Sequence, residues 1–202
     1  MEIAFVIVVL VLAWMVVRAR YQAQRIVLLG KHLSGLQVER HMETLTQGYL
    51  RAIREKDVNR QNQIWETFAA SECGVAGQIE RLAEAVAREP QEHTRIARWA
   101  MCVPYVERFL PAVTRDFRQL LRLHAQGVRE IVENPSGLSP KDRAYQLSAE
   151  LFLLQHSCHW FCKSRAVADA RLIARHQVDH GKVLASVSER TRNAYLHWLG
   201  ST

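Results

Sequence analysis

The chain has 202 residues, 49% of them hydrophobic, and a net charge of +7. That length and apolar content supply one domain with a core and exclude global disorder. The basic balance suits nucleic acid or anionic lipid and specifies neither. With nine glycines and five prolines in the whole chain, and helix formers such as Ala, Leu, Arg, Gln and Glu abundant, the expected class is all-α. An N-terminal membrane helix is expected to precede a multi-helix bundle with long helices.

The run IAFVIVVLVLAWMVV, Ile3 to Val17, is unbroken by a charge and is followed by Arg18, Arg20, Arg25 and Lys31. As a helix it rises about 22 Å against a hydrocarbon layer of about 30 Å. Snorkelling of Arg18 and Arg20 lengthens the span, and Trp14 and Tyr21 suit the headgroup level. Trp14, Arg18, Arg20, Tyr21 and Arg25 are therefore the expected membrane-interface residues, and residues 1–21 the expected anchor. A cleaved signal peptide is the rival reading. It lacks a basic side chain before the apolar run and a small-x-small site after Val17. The basic flank predicts a cytoplasmic domain at the cell membrane. Cys73, Cys102, Cys158 and Cys162 form no secreted disulfide pattern, which agrees with that compartment.

Residues 22–63 read as a juxtamembrane helical stalk and 64–202 as the bundle. Ile26, Leu29, Leu33 and Leu36 recur at helical spacing. The seam breaks at Arg40 and resumes on a shifted face with Met42, Leu45, Tyr49 and Ile53, so packing on the chain's own domain is favoured over a coiled coil. Residues 54–63 are polar nearly all round. Ile64, Trp65 and Phe68 restore an apolar cluster, and the glycines of SECGVAG, Ser71 to Gly77, predict a turn before a helix over 78–88. Pro90 suits the first turn of the next helix. Residues 91–133 read as helical, kinked or briefly broken around Pro104 and Pro111. NPSGLSP, Asn134 to Pro140, is a loop, and Ser139, Pro140 and Asp142 supply the cap, first position and acidic first turn of a new helix. No breaker interrupts 141–180, which predicts one helix about 60 Å long. Gly181 is a plausible stop, with a last helix over 183–199.

HSCHWFC, residues 156–162, gathers two histidines and two cysteines, and HQVDH, residues 176–180, adds a second cluster. His156, Cys158, His159, Cys162, His176 and His180 are the candidate metal ligands. A closed zinc site needs four ligands, and neither cluster has the usual spacing. On one continuous helix Cys158 and His176 stand about 27 Å apart, so each cluster is at best a half-site needing His124 or Cys102 from elsewhere. Haem attachment by Cys-x-x-Cys-His and paired Glu-x-x-His are absent from the sequence. The favoured reading is a packed helix core with free thiols in it, and no cofactor is expected.

No phosphate loop, nucleophile elbow or His-Glu-x-x-His occurs. Arg95, Arg98, Arg108, Arg115, Arg118, Arg122 and Arg129 outweigh Glu107 and Asp116. They come with no nucleic-acid motif and suit a solvated face or anionic headgroups. Nucleic acid is therefore not the expected partner. The expectation is a membrane-anchored, non-enzymatic scaffold or accessory subunit that binds the bilayer and other proteins, self-association included. The alternative is a membrane-tethered metal, haem or redox sensor built on the two His/Cys clusters.

Overall fold

The computed structural model describes residues 1–200. It is all-α apart from one two-stranded ribbon. Helix α1 runs from Glu2 to Leu33, and is long and apolar enough to cross a membrane. Its first twenty residues touch almost nothing, whereas Tyr21, Gln22, Arg25 and Leu29 are buried against the rest of the chain. Helices α2 (Val38–Arg54), α3 (Val58–Glu66) and α4 (Ala69–Ala87) follow.

The segment 22–63 does not stand away from the bundle. Leu29, Val38, Met42, Leu45, Tyr49 and Ala52 enter the same core as Ile79, Leu120 and Leu151. Leu29 is buried, Leu33 and Leu36 are packed against the core and Ile26 faces outward, so this face of the seam is intramolecular.

The glycines of 71–77 make no turn, because Gly74 and Gly77 lie inside α4. Each costs a helix about 1 kcal/mol relative to Ala. Burying Val75, Ala76, Ile79, Leu82 and Val86 outweighs that cost, and α4 packs extensively on α6.

Residues 91–116 depart from the expected helix. Pro90 leads into a single 3-10 turn, after which β1 (Arg95–Ala97) pairs antiparallel with β2 (Thr114–Asp116), Ile96 standing opposite Arg115. Between them, Pro104 precedes a four-residue helix, α5 (Val106–Phe109), and Pro111 opens another 3-10 turn. The two prolines thus remove helix hydrogen bonds often enough to turn the segment into a looped ribbon.

Helix α6 (Phe117–Glu133) starts from Asp116, whose carboxylate accepts from the Arg118 amide at 2.9 Å, and ends at Asn134 in the left-handed region. Ser139 caps α7 (Pro140–Cys162) where the sequence places it.

The expected 40-residue helix does not exist. Helix α7 stops at Cys162, and after Lys163 and Ser164 the chain reverses into α8 (Arg165–His176), with the Ser164 hydroxyl accepting from the Val167 amide. Gln177, left-handed at φ 57°, ends α8. Gly181 stops nothing: it lies in the first turn of α9 (His180–Ser186), which Asp179 caps, and Ser188 caps α10 (Glu189–Leu199).

Candidate functional site

The reversal at Lys163 and Ser164 brings residues of the two His/Cys clusters together. Helices α7 and α8 form a tight antiparallel pair, and α9 returns across α7. The rings of His156 and His180 consequently lie 4.5 Å apart between centres.

His156 is buried and donates from Nε2 to Asp169 Oδ1 at 2.8 Å, which leaves Nδ1 without a partner. His180 Nε2 is 3.1 Å from the Tyr195 hydroxyl. One helix away, His124 Nε2 is 2.9 Å from Ser157 Oγ, and its Nδ1 is likewise unpaired. Burial lowers the His156 pKa to about 4, with the neighbouring His180 reinforcing the shift and Asp169 opposing it. Burial and then His156 lower His124 to about 3. His180 is lowered too, by burial and by Arg165. The group is therefore a set of neutral imidazoles in an aromatic enclosure that includes Trp160 and Tyr195.

The remaining candidates sit elsewhere on the α7–α8 pair. His159 Nδ1 accepts from Arg171 at 3.0 Å, and His176 donates to Gln155 Oε1 at 2.7 Å while stacking on Phe152. Cys158 and Cys162 are half-buried and pack against the core. Burial raises both thiols: that of Cys162 is pushed up to about 11, and that of Cys158 is raised further in the same direction. Such thiols stay protonated at neutral pH and are poor nucleophiles and poor ligands. Among the described residues no three His, Cys, Asp or Glu side chains are grouped as a metal ion requires. The Ser157–His124 pair resembles a nucleophile and base in chemistry, but both residues are fully enclosed, so a substrate has no path to them.

A second constellation joins α1 to the domain. The Arg25 guanidinium donates to the backbone carbonyls of Phe161, at 3.0 Å, and of Arg95, and lies over the rings of Tyr21 and Phe161. The Tyr21 hydroxyl donates to Glu107 at 3.0 Å, and its ring meets Tyr105 edge-on at 5.0 Å. Tyr105 itself is left-handed at φ 58°, a conformation that bulky residues rarely adopt. Its ring is packed by the edge-on Tyr21 ring and by the Arg108 guanidinium, 5.1 Å from the ring centre. A cleft of about 800 Å³ opens beside this seat, lined by Arg25, Arg95, Tyr105, Glu107 and Arg108 among others.

Of the expected membrane-interface residues, Trp14, Arg18 and Arg20 project away from the domain, while Tyr21 and Arg25 are built into it. By residue type alone these two are an aromatic and a cation at a headgroup boundary. Nothing local shows that their partners come from residues 95, 107 and 161.

The arginine-rich stretch resolves similarly. Arg95, Arg98, Arg115, Arg118 and Arg129 are bonded to hydroxyl, carbonyl or carboxylate groups within the fold, and Arg108 and Arg122 remain on the surface.

A third feature is a groove of about 460 Å³ among α2, α7 and α8, with Met42, Ile53, Tyr145 and Phe152 in its walls. Comparison of the chain with protein-family models, with curated proteins and with solved structures finds no match.

Proposed function

We propose that the chain is a single-pass membrane protein whose helical domain lies in the cytoplasm and serves as a non-enzymatic scaffold or accessory subunit of a membrane-associated assembly. The observation that carries this reading is the continuity of α1. One uninterrupted helix leads from a fully exposed apolar stretch into the buried seat of Tyr21, Arg25 and Leu29. A domain joined in this way is held at a fixed angle and height to the bilayer, unlike one on a flexible linker, and fixed presentation is what an assembly subunit needs. The flank of Arg18 and Arg20 after the apolar run supports the cytoplasmic orientation. The half-exposed walls of the α2–α7–α8 groove supply a surface for a protein partner.

Two experiments on the full chain test the reading. A reporter active only in the cytoplasm, fused after Thr202, should be active. Photo-crosslinkers at Leu50 and Tyr145, both on the groove, should capture a distinct protein in native membranes. An inactive reporter removes the orientation, and adducts with water-soluble bystanders alone remove the scaffold role.

A second reading, a tethered metal or haem sensor, draws on the meeting of His156 and His180 in one enclosure. It requires stoichiometric metal or haem in the purified chain, lost in His156→Ala. The raised Cys158 and Cys162 thiols weigh against a redox version of it.

A further inference from the structure

The contacts along α1 form a ruler. At the end nearest the apolar run, Tyr21 bonds Glu107 and meets Tyr105, and Gln22 bonds Lys163. One turn further on, Arg25 reaches Arg95 and Phe161. Near the far end, Lys31 and His32 bind Glu89. Tyr21 lies about 6 Å beyond Val17 along the helix axis and Lys31 about 21 Å beyond it. The segment from Trp99 to Leu110 is therefore at the end of the domain closest to the exposed apolar helix.

That same segment carries an unusual share of exposed apolar side chains. Trp99, Met101, Phe109 and Leu110 are exposed, Phe109 to 79% and Met101 to 74%. The other large exposed apolar residues outside α1 are Leu50, Val58, Tyr145 and Ile173, which are scattered over the sequence. Apolar exposure gathered on one short segment is the pattern that contact surfaces show. Trp99 and Met101 share a crevice with Tyr21, while Phe109 and Leu110 follow Glu107, so the four residues lie around the point where α1 enters the domain.

We propose that the 99–110 segment is a second membrane-binding element, with Trp99, Met101, Phe109 and Leu110 inserted into the interfacial layer of the leaflet that α1 leaves. This rests on the reading of α1 as a membrane span. The headgroup layer is about 5–8 Å deep on each side of the hydrocarbon, which matches the position of Tyr21 on the ruler. Tryptophan suits that layer, and the exposed Arg108 beside Tyr105, with Arg18 and Arg20 on α1, supplies cations for anionic headgroups. The ribbon of β1 and β2 gives the loop a base. Arg98 and Arg115 tie that base to the Leu199 and Trp198 carbonyls at the end of α10.

The full chain is reconstituted in vesicles of mixed zwitterionic and anionic phospholipid, in a Cys73→Ser, Cys102→Ser background. Spin labels are placed singly on Phe109→Cys, on Val11→Cys within the apolar run and on Leu50→Cys on α2, all at exposed positions. Collision with oxygen, which favours lipid, is compared with collision with a water-soluble nickel chelate. The expected result is an oxygen-favouring ratio at positions 11 and 109 and its reversal at 50. A lipid-facing label at 11 with a water-facing one at 109 overturns the second element and leaves the anchor standing. A label at 109 shielded from both agents overturns it in favour of burial against protein, either this chain or a second copy of it. A water-facing label at 11 overturns the anchor and this proposal together.

Discussion

The rings of His156 and His180, 4.5 Å apart, come from opposite sides of a helix reversal, and burial keeps both imidazoles below their ordinary pKa. In the unfolded chain each binds a proton near pH 6.5, whereas folded His156 does so near 4 and folded His124 near 3. Their contribution is thus complete above about pH 6.5 and is lost as pH falls, at roughly 1.4 kcal/mol per pH unit for each histidine until its folded pKa is reached. Urea unfolding should show lower stability at pH 5 than at pH 7.5. His156→Phe should reduce the slope and leave the His124 share, and an unchanged slope would rule out His156 as a source.

Glu150 works in the opposite direction. Burial raises its carboxyl from 4.5 to about 7 although the Ser188 amide donates to it at 3.2 Å. A raised acid contributes stability that is complete below pH 4.5 and disappears as pH rises through 7, a swing on the order of 3 kcal/mol. Glu150→Gln keeps an acceptor for Ser188 and loses the charge. The variant should be more stable than the parent at pH 8 and about equal at pH 5. A deficit at pH 8 means that the carboxylate is better solvated than its burial implies.

Gly127 on α6 faces the same carboxylate. A Cβ there would stand 2.4 Å from Thr191 Oγ1 and 2.7 Å from Glu150 Oε2. Gly127→Ala gains about 1 kcal/mol of helix propensity but forces two enclosed polar groups to move. A net loss of about 1–3 kcal/mol is expected, read as a fall in melting temperature. Gly77→Ala meets open space on α4 and should show the propensity gain alone.

Arg25→Met removes the donor that serves the Phe161 and Arg95 carbonyls. With those acceptors left buried, a loss of roughly 1–3 kcal/mol follows, and Arg25→Lys restores only part because it lacks the planar fork. Proteolysis should become faster at the Ser34–Gln37 connection as α1 loosens. Leu29→Asn together with Leu33→Asn should likewise lower stability without changing the oligomeric state, since Leu29 is buried within its own chain. A drop in molecular mass by light scattering with unaltered melting would contradict that.

Thiol labelling of the native chain should start at Cys73, which is exposed, and lag at Cys158 and Cys162, whose raised pKa values keep them protonated. Replacing both lagging cysteines by Ala should reduce stability modestly and leave metal content unchanged. Fast native labelling of Cys162 contradicts its burial.

Strong local chemistry was legible from residue types alone: the apolar run of α1, the Ser139-Pro140-Asp142 start of α7 and an interruption near Pro104 and Pro111, though not the ribbon over 91–116 that replaces the helix there. The reversal after Cys162 was not, since it uses neither Gly nor Pro and its only local mark is Ser164, a hydroxyl able to cap α8. Asp179 and Ser188 mark α9 and α10 in the same understated way. The Ser164 cap is what folds α8 back on α7 and lets His156 and His180 meet. The glycines of α4 misled in the other direction, because tertiary burial of Ile79 and Val86 overrode a local turn signal. The partners of Arg25 depend on chain reversals far along the sequence, which no local pattern encodes.

The seat of Arg25 also sets an order in time. Its acceptor at Phe161 is 136 residues further along the chain. At a synthesis rate of about 5–20 residues per second, roughly 7–27 s pass between the making of the cation and the making of its acceptor. Throughout that interval α1 exists without Phe161, Lys163 and the rest of its docking surface, its guanidinium and phenol hydrogen-bonded to solvent instead of to the fold. Closure over Arg25 therefore waits until α7 has been made, and the apolar run before it, which the finished fold leaves exposed as well, gains no cover from that event.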